Sequence, residues 1–152
     1  MIVLFSSLIV LFVGYLIYLI FFWQWKKSCQ PTFNGDTPII MGHRGSPTLV
    51  TENTIFSFKK AINQGVEGLE FDIRLSKDKQ IVVFHDATLK RLSNIEGAIS
   101  DLSLTELQSV KLHKQEGQTD NVYISSLNDM AHLLHQVKVV NIEIKSEGLF
   151  KG

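Results

Sequence analysis

Residues 69–73 read Leu-Glu-Phe-Asp-Ile, a strand-like run in which apolar and acidic side chains alternate. Side chains on a β-strand point to opposite faces in turn, so the three apolar side chains face one way and Glu70 and Asp72 the other. Burying either carboxylate without a partner would cost several kcal/mol. The pattern therefore predicts a strand with a packed face and a charged face whose acids need partners.

A second strand-like run, residues 141–145, repeats the pattern, with Glu143 and Lys145 on its polar face. A divalent cation held by carboxylate oxygens would satisfy the acids, because Ca²⁺ and Mg²⁺ both take oxygen ligands. A salt-bridge network in which Lys145 and Arg74 neutralise the acids explains the spacing equally well. Simple solvent exposure of an alternating strand is a third reading.

Strand-like and helix-like runs alternate along the rest of the chain from residue 38. This alternation predicts βαβ units, a parallel sheet and an α/β fold. A Ser103-x-x-Glu106 capping pattern opens one of the helices. The predicted strands are 38–42, 68–75, 80–85 and 137–145, and the predicted helices are 53–64, 103–110 and 126–136.

Two histidines close predicted strands: His43 ends residues 39–43 and His85 ends residues 81–85. In an α/β barrel the carboxyl ends of the strands line the active site, and a histidine pair can act as general base and general acid. A single strand-end histidine is more often structural. Arg44 offers a fork of donors suited to phosphate, and Gly45 allows a close backbone approach. Together these residues indicate a phosphodiesterase site.

Three further histidines lie in predicted loops or helices, and no neighbouring residues form a catalytic or metal-binding pattern with them. We expect them to be surface or packing residues. They are His113, His132 and His135.

Five motifs, in this order and spacing, resemble the glycerophosphodiester phosphodiesterase family. The resemblance covers about residues 38–145 and implies a TIM (β/α)₈ barrel. It also implies hydrolysis of glycerophosphodiesters to an alcohol and glycerol 3-phosphate, aided by Ca²⁺ or Mg²⁺. The motifs are Gly42-His43-Arg44-Gly45, Glu52-Asn53-Thr54, Gly65-x-x-x-x-Glu70-x-Asp72, residues 82–86 (VVFHD) and residues 141–145 (NIEIK).

The resemblance also implies a role for each matching residue. Glu52 could bind the metal, directly or through water, or cap the helix that starts near Asn53. Asp86 would point to the opposite face if the strand continued past His85, so we expect it to support the site from behind or to form a turn. The implied roles are an acid and base pair in His43 and His85, metal ligands in Glu70, Asp72 and Glu143, and phosphate binding by Arg44 and Lys145.

The length of the chain departs from the family pattern. A (β/α)₈ barrel needs about 250 residues, whereas residues 38–152 number 115 and hold four predicted core strands. We therefore expect a partial barrel. It is either the amino-terminal half of a longer enzyme or a half barrel that needs a partner. Open edges at the first and fourth strands would favour self-association. The isolated chain is expected to lack normal activity, and a truncated protein that binds metal or phosphate without turnover is the alternative.

The amino-terminal residues 1–25 contain no charged residue and no histidine. Residues 2–23 are long enough, at about 1.5 Å per residue, to cross a hydrocarbon core of about 30 Å. No basic start and no small-residue cleavage site is present, so we predict an uncleaved transmembrane anchor, followed by a linker at 26–37 and a domain at 38–152. Lys26 and Lys27 favour a cytoplasmic domain. The anchor makes a lysophospholipid a plausible alternative substrate.

Composition narrows the remaining classes of function. The chain carries 15 basic and 15 acidic side chains and a formal net charge of zero. No Lys/Arg-rich stripe is present, which argues against nucleic-acid binding. The single cysteine, Cys29, excludes an intrachain disulfide, and we expect either an unmodified thiol or a palmitoylated one.

Overall fold

The computed structural model describes residues 2–19 and 38–145, and the chain divides into two units, Met1–Thr37 and Pro38–Gly152. In the first unit, helix α1 spans Ile2–Tyr18, and the side chains of residues 10–18 are exposed. Within the described residues, no helix is both long and apolar enough to cross a membrane. The end of the predicted anchor and the linker at 26–37, with Lys26, Lys27 and Cys29, lie outside the described residues.

The second unit is an α/β arrangement in which the predicted helices and strands occur where the patterns place them, with shorter bounds. It adds two short elements, a 3₁₀ turn and a two-residue strand before the last helix. The elements are β1 (Met41–His43), α2 (Ile55–Asn63), β2 (Gly68–Leu75), β3 (Ile81–Val83), a 3₁₀ turn (Ile99–Asp101), α3 (Leu104–Ser109), β4 (Ser125–Ser126), α4 (Leu127–Leu134) and β5 (Val139–Ile144).

Strand β2 is the centre of the sheet. β5 runs parallel to it along one edge, from the pair Gly68–Val139 to the pair Ile73–Ile144. The other edge of β2 pairs with β1 in parallel at its start and with β3 in antiparallel at its end. β4 extends the sheet beyond β3, again antiparallel.

The prediction of a parallel sheet is confirmed for β1, β2 and β5 and is wrong for β3. The sheet therefore has three parallel strands instead of the four expected barrel strands. Only residues 76–80 separate β2 from β3. A parallel connection needs about a dozen residues or more, so this short turn can only form an antiparallel hairpin. Lys79, in the left-handed region at φ 61°, completes the turn.

The apolar face of β2 packs against the two longer helices of this unit. Leu69 and Phe71 are fully buried there, as the alternation predicts. The Phe58 and Phe71 rings meet edge to face, with centroids 5.8 Å apart. This cluster also contains Ala61, Val83, Met130 and Leu133.

A second apolar cluster lies under the segment between β3 and β4. Its buried residues come from β3, from the loop after β3, from α3 and from the approach to β4. They are Val82, Phe84, Leu89, Leu92, Ile99, Leu107, Val110, Leu112, Val122 and Ile124.

The edges of the sheet are open where the sequence places them, at its first and last predicted strands. Among the described residues, β1 and β5 each pair with β2 alone. Ile142 and Ile144 of β5 are 41% and 74% exposed. Parallel strands are normally covered on both faces, so this face of β5 is an apolar surface open to solvent.

The N-terminal cap of helix α4 can be tested by a single substitution. Ser126 caps it, accepting a hydrogen bond from the Asp129 amide at 3.2 Å while the Asp129 carboxylate accepts one from the Ser126 amide at 2.8 Å. We expect Ser126→Ala to lower the free energy of unfolding by about 1 kcal/mol, because the first turn of the helix loses a partner. Urea unfolding of the full chain in detergent measures it. The matched control is Ser100→Ala, an exposed serine that caps no helix and should change little; equal losses would contradict the role of the cap.

Candidate functional site

The charged face of β2 and β5 brings three carboxylates together. The register pairs Asp72 with Glu143, and Glu70 lies one alternation earlier on the same face. One oxygen from each of the three lies within 4.8 Å of the others. Asp72 is fully buried, Glu70 nearly so, and Glu143 is exposed, so the cluster opens to solvent on one side.

Asp72 is held in place by Asn53. The Asn53 amide nitrogen donates to Asp72 Oδ2 at 2.9 Å, and the Asp72 backbone amide donates to Asn53 Oδ1 at 3.4 Å. Asn53 is itself buried and in the left-handed region at φ 55°. Asp72 Oδ1 is buried and accepts no well-aligned hydrogen bond. An oriented carboxylate whose second buried oxygen meets only an ammonium group, that of Lys145, suits a cation.

The ionisation of Asp72 is decided by its neighbours. Burial raises the pKa of this carboxyl, but hydrogen bonds from Asn53 and Lys145 and the charges of Arg44 and His85 outweigh burial and lower the pKa below its usual value. Asp72 is therefore a carboxylate at neutral pH, as a metal ligand must be.

Two basic side chains face the carboxylates. The Lys145 ammonium lies 3.2 Å from Asp72 Oδ1 and also contacts Glu143, and Arg44 Nε lies 3.3 Å from Asp72 Oδ2. Lys145 thus neutralises the acids as the salt-bridge alternative expects, whereas Arg74 Nε donates to the His85 carbonyl oxygen at 2.8 Å. Two cations against three carboxylates leave net negative charge, which a divalent cation would offset.

The segments that carry His43 and His85 both reach the middle of β2. β1 and β3 run toward each other along the same edge: the Arg44 amide donates to the Glu70 carbonyl at 2.9 Å and the Phe84 amide to the Asp72 carbonyl at 3.0 Å. His43 Nε2 lies 3.7 Å from Glu70 Oε2. The two histidines therefore border the cluster from opposite directions along one edge, not from neighbouring parallel strands.

The close backbone approach expected at Gly45 is made to helix α2. A Cβ at this position, where φ is 90°, would lie 2.4 Å from Ser57 Oγ. Ser57 Oγ accepts from the Ser46 amide at 2.8 Å and donates to the Arg44 carbonyl at 3.0 Å. Gly45 thus lets α2 fix the turn that carries Arg44, itself left-handed at φ 56°.

Glu52 and Asp86 both lie in loops and contact residues of the site, Arg44 and His85. Thr54, not Glu52, caps α2. The Glu52 carboxylate instead accepts from Arg44 at 3.1 Å and from Arg91 at 2.6 Å. Asp86 contacts His85 and Arg91, so it lies behind His85 in the loop and not on the opposite face of a continued strand. The alternation of the strand ends at Val83, and the loop turns Asp86 back.

Sequence reasoning missed the roles of Asn53 and Arg91, although both stand in or beside the quoted motifs. Burial of the polar Asn53 and the wide separation of Arg91 from Glu52 are visible only in the fold. The three remaining histidines are exposed or loop residues, as expected; they are His113, which contacts Asn94 at 3.0 Å, and His132 and His135 of the α4 end.

A cavity of about 390 Å³ opens at the carboxyl ends of β2 and β5, beside Lys145. Most of its lining is apolar. The apolar lining residues are Ile73, Leu75, Ile81, Ala87, Ile99 and Ile144.

Comparison with known proteins shows the family of this chain. The model of the "Glycerophosphoryl diester phosphodiesterase family" matches residues 43–149. A glycerophosphodiester phosphodiesterase from Caldanaerobacter subterraneus subsp. tengcongensis is 37% identical over 110 residues, covering 71% of this chain and 45% of that protein. One from Bacillus altitudinis is 34% identical, with 70% and 45% covered. The chain thus spans less than half the length of these relatives.

Solved structures agree. A glycerophosphodiester phosphodiesterase from Agrobacterium tumefaciens matches with a TM-score of 0.64 and 29% identity, over 72% of this chain and 48% of that one. A phosphodiesterase from Oleispira antarctica, in complex with the product sn-glycerol-3-phosphate, matches with a TM-score of 0.61 and 32% identity, over 71% and 44%. The described sheet is therefore part of a TIM-barrel-like α/β fold, and with the match over residues 43–149 this chain belongs to the glycerophosphoryl diester phosphodiesterase family.

Proposed function

We propose that this chain carries the catalytic groups of an enzyme that hydrolyses glycerophosphodiesters to an alcohol and glycerol 3-phosphate. The observation that carries the proposal is the cluster of three carboxylates, bordered by two histidines and faced by two basic side chains. The relatives named as glycerophosphodiester phosphodiesterases, and the product found in the Oleispira antarctica structure, support the substrate class.

Glu70, Asp72 and Glu143 would hold a divalent cation, Ca²⁺ or Mg²⁺. Their oxygens are hard ligands, and one buried oxygen of Asp72 accepts no well-aligned hydrogen bond. When bound, such a cation acts as a Lewis acid on a phosphoryl oxygen.

Arg44 and Lys145 would bind the phosphate. Both cations already lie at the carboxylates, 3.3 Å and 3.2 Å from Asp72 oxygens. Fixed positive groups at this position offset the negative charge that grows on the phosphoryl oxygens as the bond to the leaving alcohol breaks.

His43 and His85 would move the protons. One removes a proton from the nucleophile, which is water or the glycerol hydroxyl of the substrate itself, and the other protonates the leaving oxygen. Their approach from opposite directions along one edge of β2 suits groups that act on opposite sides of a scissile bond.

The test is release of glycerol 3-phosphate from glycerophosphocholine and glycerophosphoethanolamine by the full chain. We expect turnover that EDTA abolishes and that Ca²⁺ or Mg²⁺ restores, with His43→Ala lowering kcat by at least about 100-fold because proton transfer is lost. His132→Ala, an exposed helix histidine, is the matched control and should keep wild-type turnover.

The open sheet edges at β1 and β5 are candidate contact surfaces between copies of the chain. We propose that the unpaired edges of β1 and β5 favour self-association. A folded preparation that releases no more product than His43→Ala would contradict activity of this chain. It would favour a protein that binds metal or phosphate without turnover.

We also propose that the amino-terminal segment anchors the chain in a membrane as a single span, with the domain on the cytoplasmic side. The uncharged residues 1–25 and the lysines that follow them support this topology. The exposed apolar side chains of α1, such as Leu11 at 70% and Phe12 at 62%, suit contact with lipid.

Anchoring is tested by extraction. We expect the full chain to stay with the membrane pellet through an alkaline carbonate wash. Leu11→Arg should release much of it, since an arginine at the centre of a span costs about 3 kcal/mol on insertion scales. Lys60→Glu, a charge change on a helix of the domain, is the control and should stay in the pellet. Equal release of both variants, or release of the wild type, would contradict the anchor.

A lysophospholipid is the second candidate substrate, and the apolar cavity beside Lys145 favours it. Its volume of about 390 Å³ and its isoleucine-rich lining could take part of an acyl chain while Lys145 faces the phosphate. The cleavage would be of the lysophospholipase D type, at the same phosphodiester bond.

Substrate preference tests the cavity. We expect Ile81→Asp to lower kcat/KM for lysophosphatidylcholine at least about tenfold and to leave glycerophosphocholine nearly unchanged, because a carboxylate in the lining disfavours an acyl chain. Ile95→Asp, equally an exposed isoleucine but outside the cavity, is the matched control. Equal effects of Ile81→Asp on both substrates would contradict an acyl site.

A further inference from the structure

A chain of alternating charges links the two loops that carry the site's polar groups. His85 Nδ1 lies 2.6 Å from Asp86 Oδ1. Arg91 donates from Nε to Asp86 Oδ2 at 2.5 Å and from Nη2 to Glu52 Oε1 at 2.6 Å. Glu52 Oε1 in turn accepts from Arg44 Nη1 at 3.1 Å. One guanidinium thus joins the loop after β1 to the loop after β3.

The protonation of Asp86 decides what its contact with His85 means. Burial raises the pKa of this carboxyl, but the hydrogen bonds and charges of Arg91 and His85 outweigh burial and lower the pKa. Asp86 is therefore ionised at neutral pH, and an ionised carboxylate can only accept hydrogen bonds. The hydrogen of the 2.6 Å contact must then belong to His85 Nδ1.

A neutral imidazole carries one hydrogen, on one of its two nitrogens. With the hydrogen on Nδ1, the Nε2 atom of His85 keeps its lone pair. Resting on the proposed function, we propose that Asp86 and Arg91 are positioning residues that hold neutral His85 in the Nδ1–H form. His85 then takes up and releases its catalytic proton at Nε2.

Arg91 does more than neutralise Asp86. Arg91 donates to Asp86 Oδ2 through Nε at 2.5 Å and to Oδ1 through Nη2 at 3.2 Å, so both oxygens of the carboxylate are held. The same Nη2 holds Glu52, which orients Arg44. Arg91 therefore sets the direction of a proton-transfer group and of a phosphate-binding group together.

The test reads the tautomer directly and needs no turnover. The full chain, labelled with ¹⁵N-histidine in detergent micelles, is measured by two-bond ¹H–¹⁵N NMR at alkaline pH, where histidine side chains are neutral. His85→Gln assigns the His85 signals among the five histidines. We expect a protonated Nδ1 and an unprotonated Nε2 at His85. The opposite pattern in the wild type would overturn the proposal.

Asp86→Asn sharpens the test because the new side chain has one acceptor and one donor. Arg91 Nε donates to the Oδ2 position, so the amide oxygen should settle there and the amide nitrogen should face His85. His85 Nδ1 must then accept, and we expect the imidazole to switch to the Nε2–H form. Asp101→Asn, at an exposed aspartate of the 3₁₀ turn, is the matched control and should leave the His85 signals unchanged.

Arg91→Met separates the two positioning residues. In Arg91→Met, where Asp86 is intact, His85 should keep its Nδ1–H form. In the double variant Arg91→Met/Asp86→Asn nothing selects the orientation of the new amide, so we expect a mixture of the Nδ1–H and Nε2–H forms of His85. A wild-type tautomer that persists in Asp86→Asn, in a preparation with unchanged circular dichroism, would overturn the proposal.

Turnover gives a second readout. We expect Asp86→Asn to lower kcat at least about 100-fold with KM changed less than about threefold, and to have no further effect in a His85→Ala background. An equal loss in both backgrounds would mean that Asp86 does not act through His85. A chain without any turnover would remove the proposed function while the tautomer measurement still decides the positioning role.

Discussion

The short turn between β2 and β3 is the constraint on which the site depends. Five residues cannot carry the chain back for a parallel strand, so β3 must run antiparallel to β2. β5 already occupies the other edge of β2, and β3 therefore shares an edge with β1. The carboxyl ends of β1 and β3 point at each other across the middle of β2. This places a histidine on each side of the carboxylates that the alternation of β2 turns to the same face.

Burial of Asp72 explains why the surrounding residues are arranged as they are. A buried carboxylate needs partners, and here they come from three directions: Asn53 from the loop after β1, Arg44 from the turn, and Lys145 from the end of β5. Each partner is placed by a different piece of backbone geometry. Two of them, Asn53 and Arg44, occupy the left-handed region, which costs conformational energy and persists only where surrounding contacts fix it. The strained backbone is thus concentrated where the ionised acid is held.

The strands of the site could be predicted from the sequence, and the loops could not. Alternation along residues 69–73 and 141–145 fixes which side chains share a face, so the meeting of Glu70, Asp72 and Glu143 follows from local pattern and parallel pairing. Strand direction does not follow from alternation, and for that reason the prediction of a parallel β3 is wrong. The length of the turn between β2 and β3 determines that direction. Glu52 and Asp86 lie in loops, where side-chain direction is set by a shared partner and not by strand alternation. That partner, Arg91, is 39 positions from Glu52, and no short-range pattern connects them.

The ion pairs of Arg91 show how orientation and stability can be separated. Ion pairs this close to solvent contribute at most about 1 kcal/mol to folding, and the Arg91 side chain is 46% exposed. The apolar packing of Phe58 and Phe71 beneath the sheet contributes more to stability, and it does not include Arg91 or the residues that Arg91 contacts. Direction is a different quantity, because a hydrogen bond to the wrong nitrogen of an imidazole removes its function without unfolding anything. A network that contributes little to folding can therefore be decisive for proton transfer, since the contact with Asp86 selects which nitrogen of His85 carries the hydrogen and Arg91 holds Asp86.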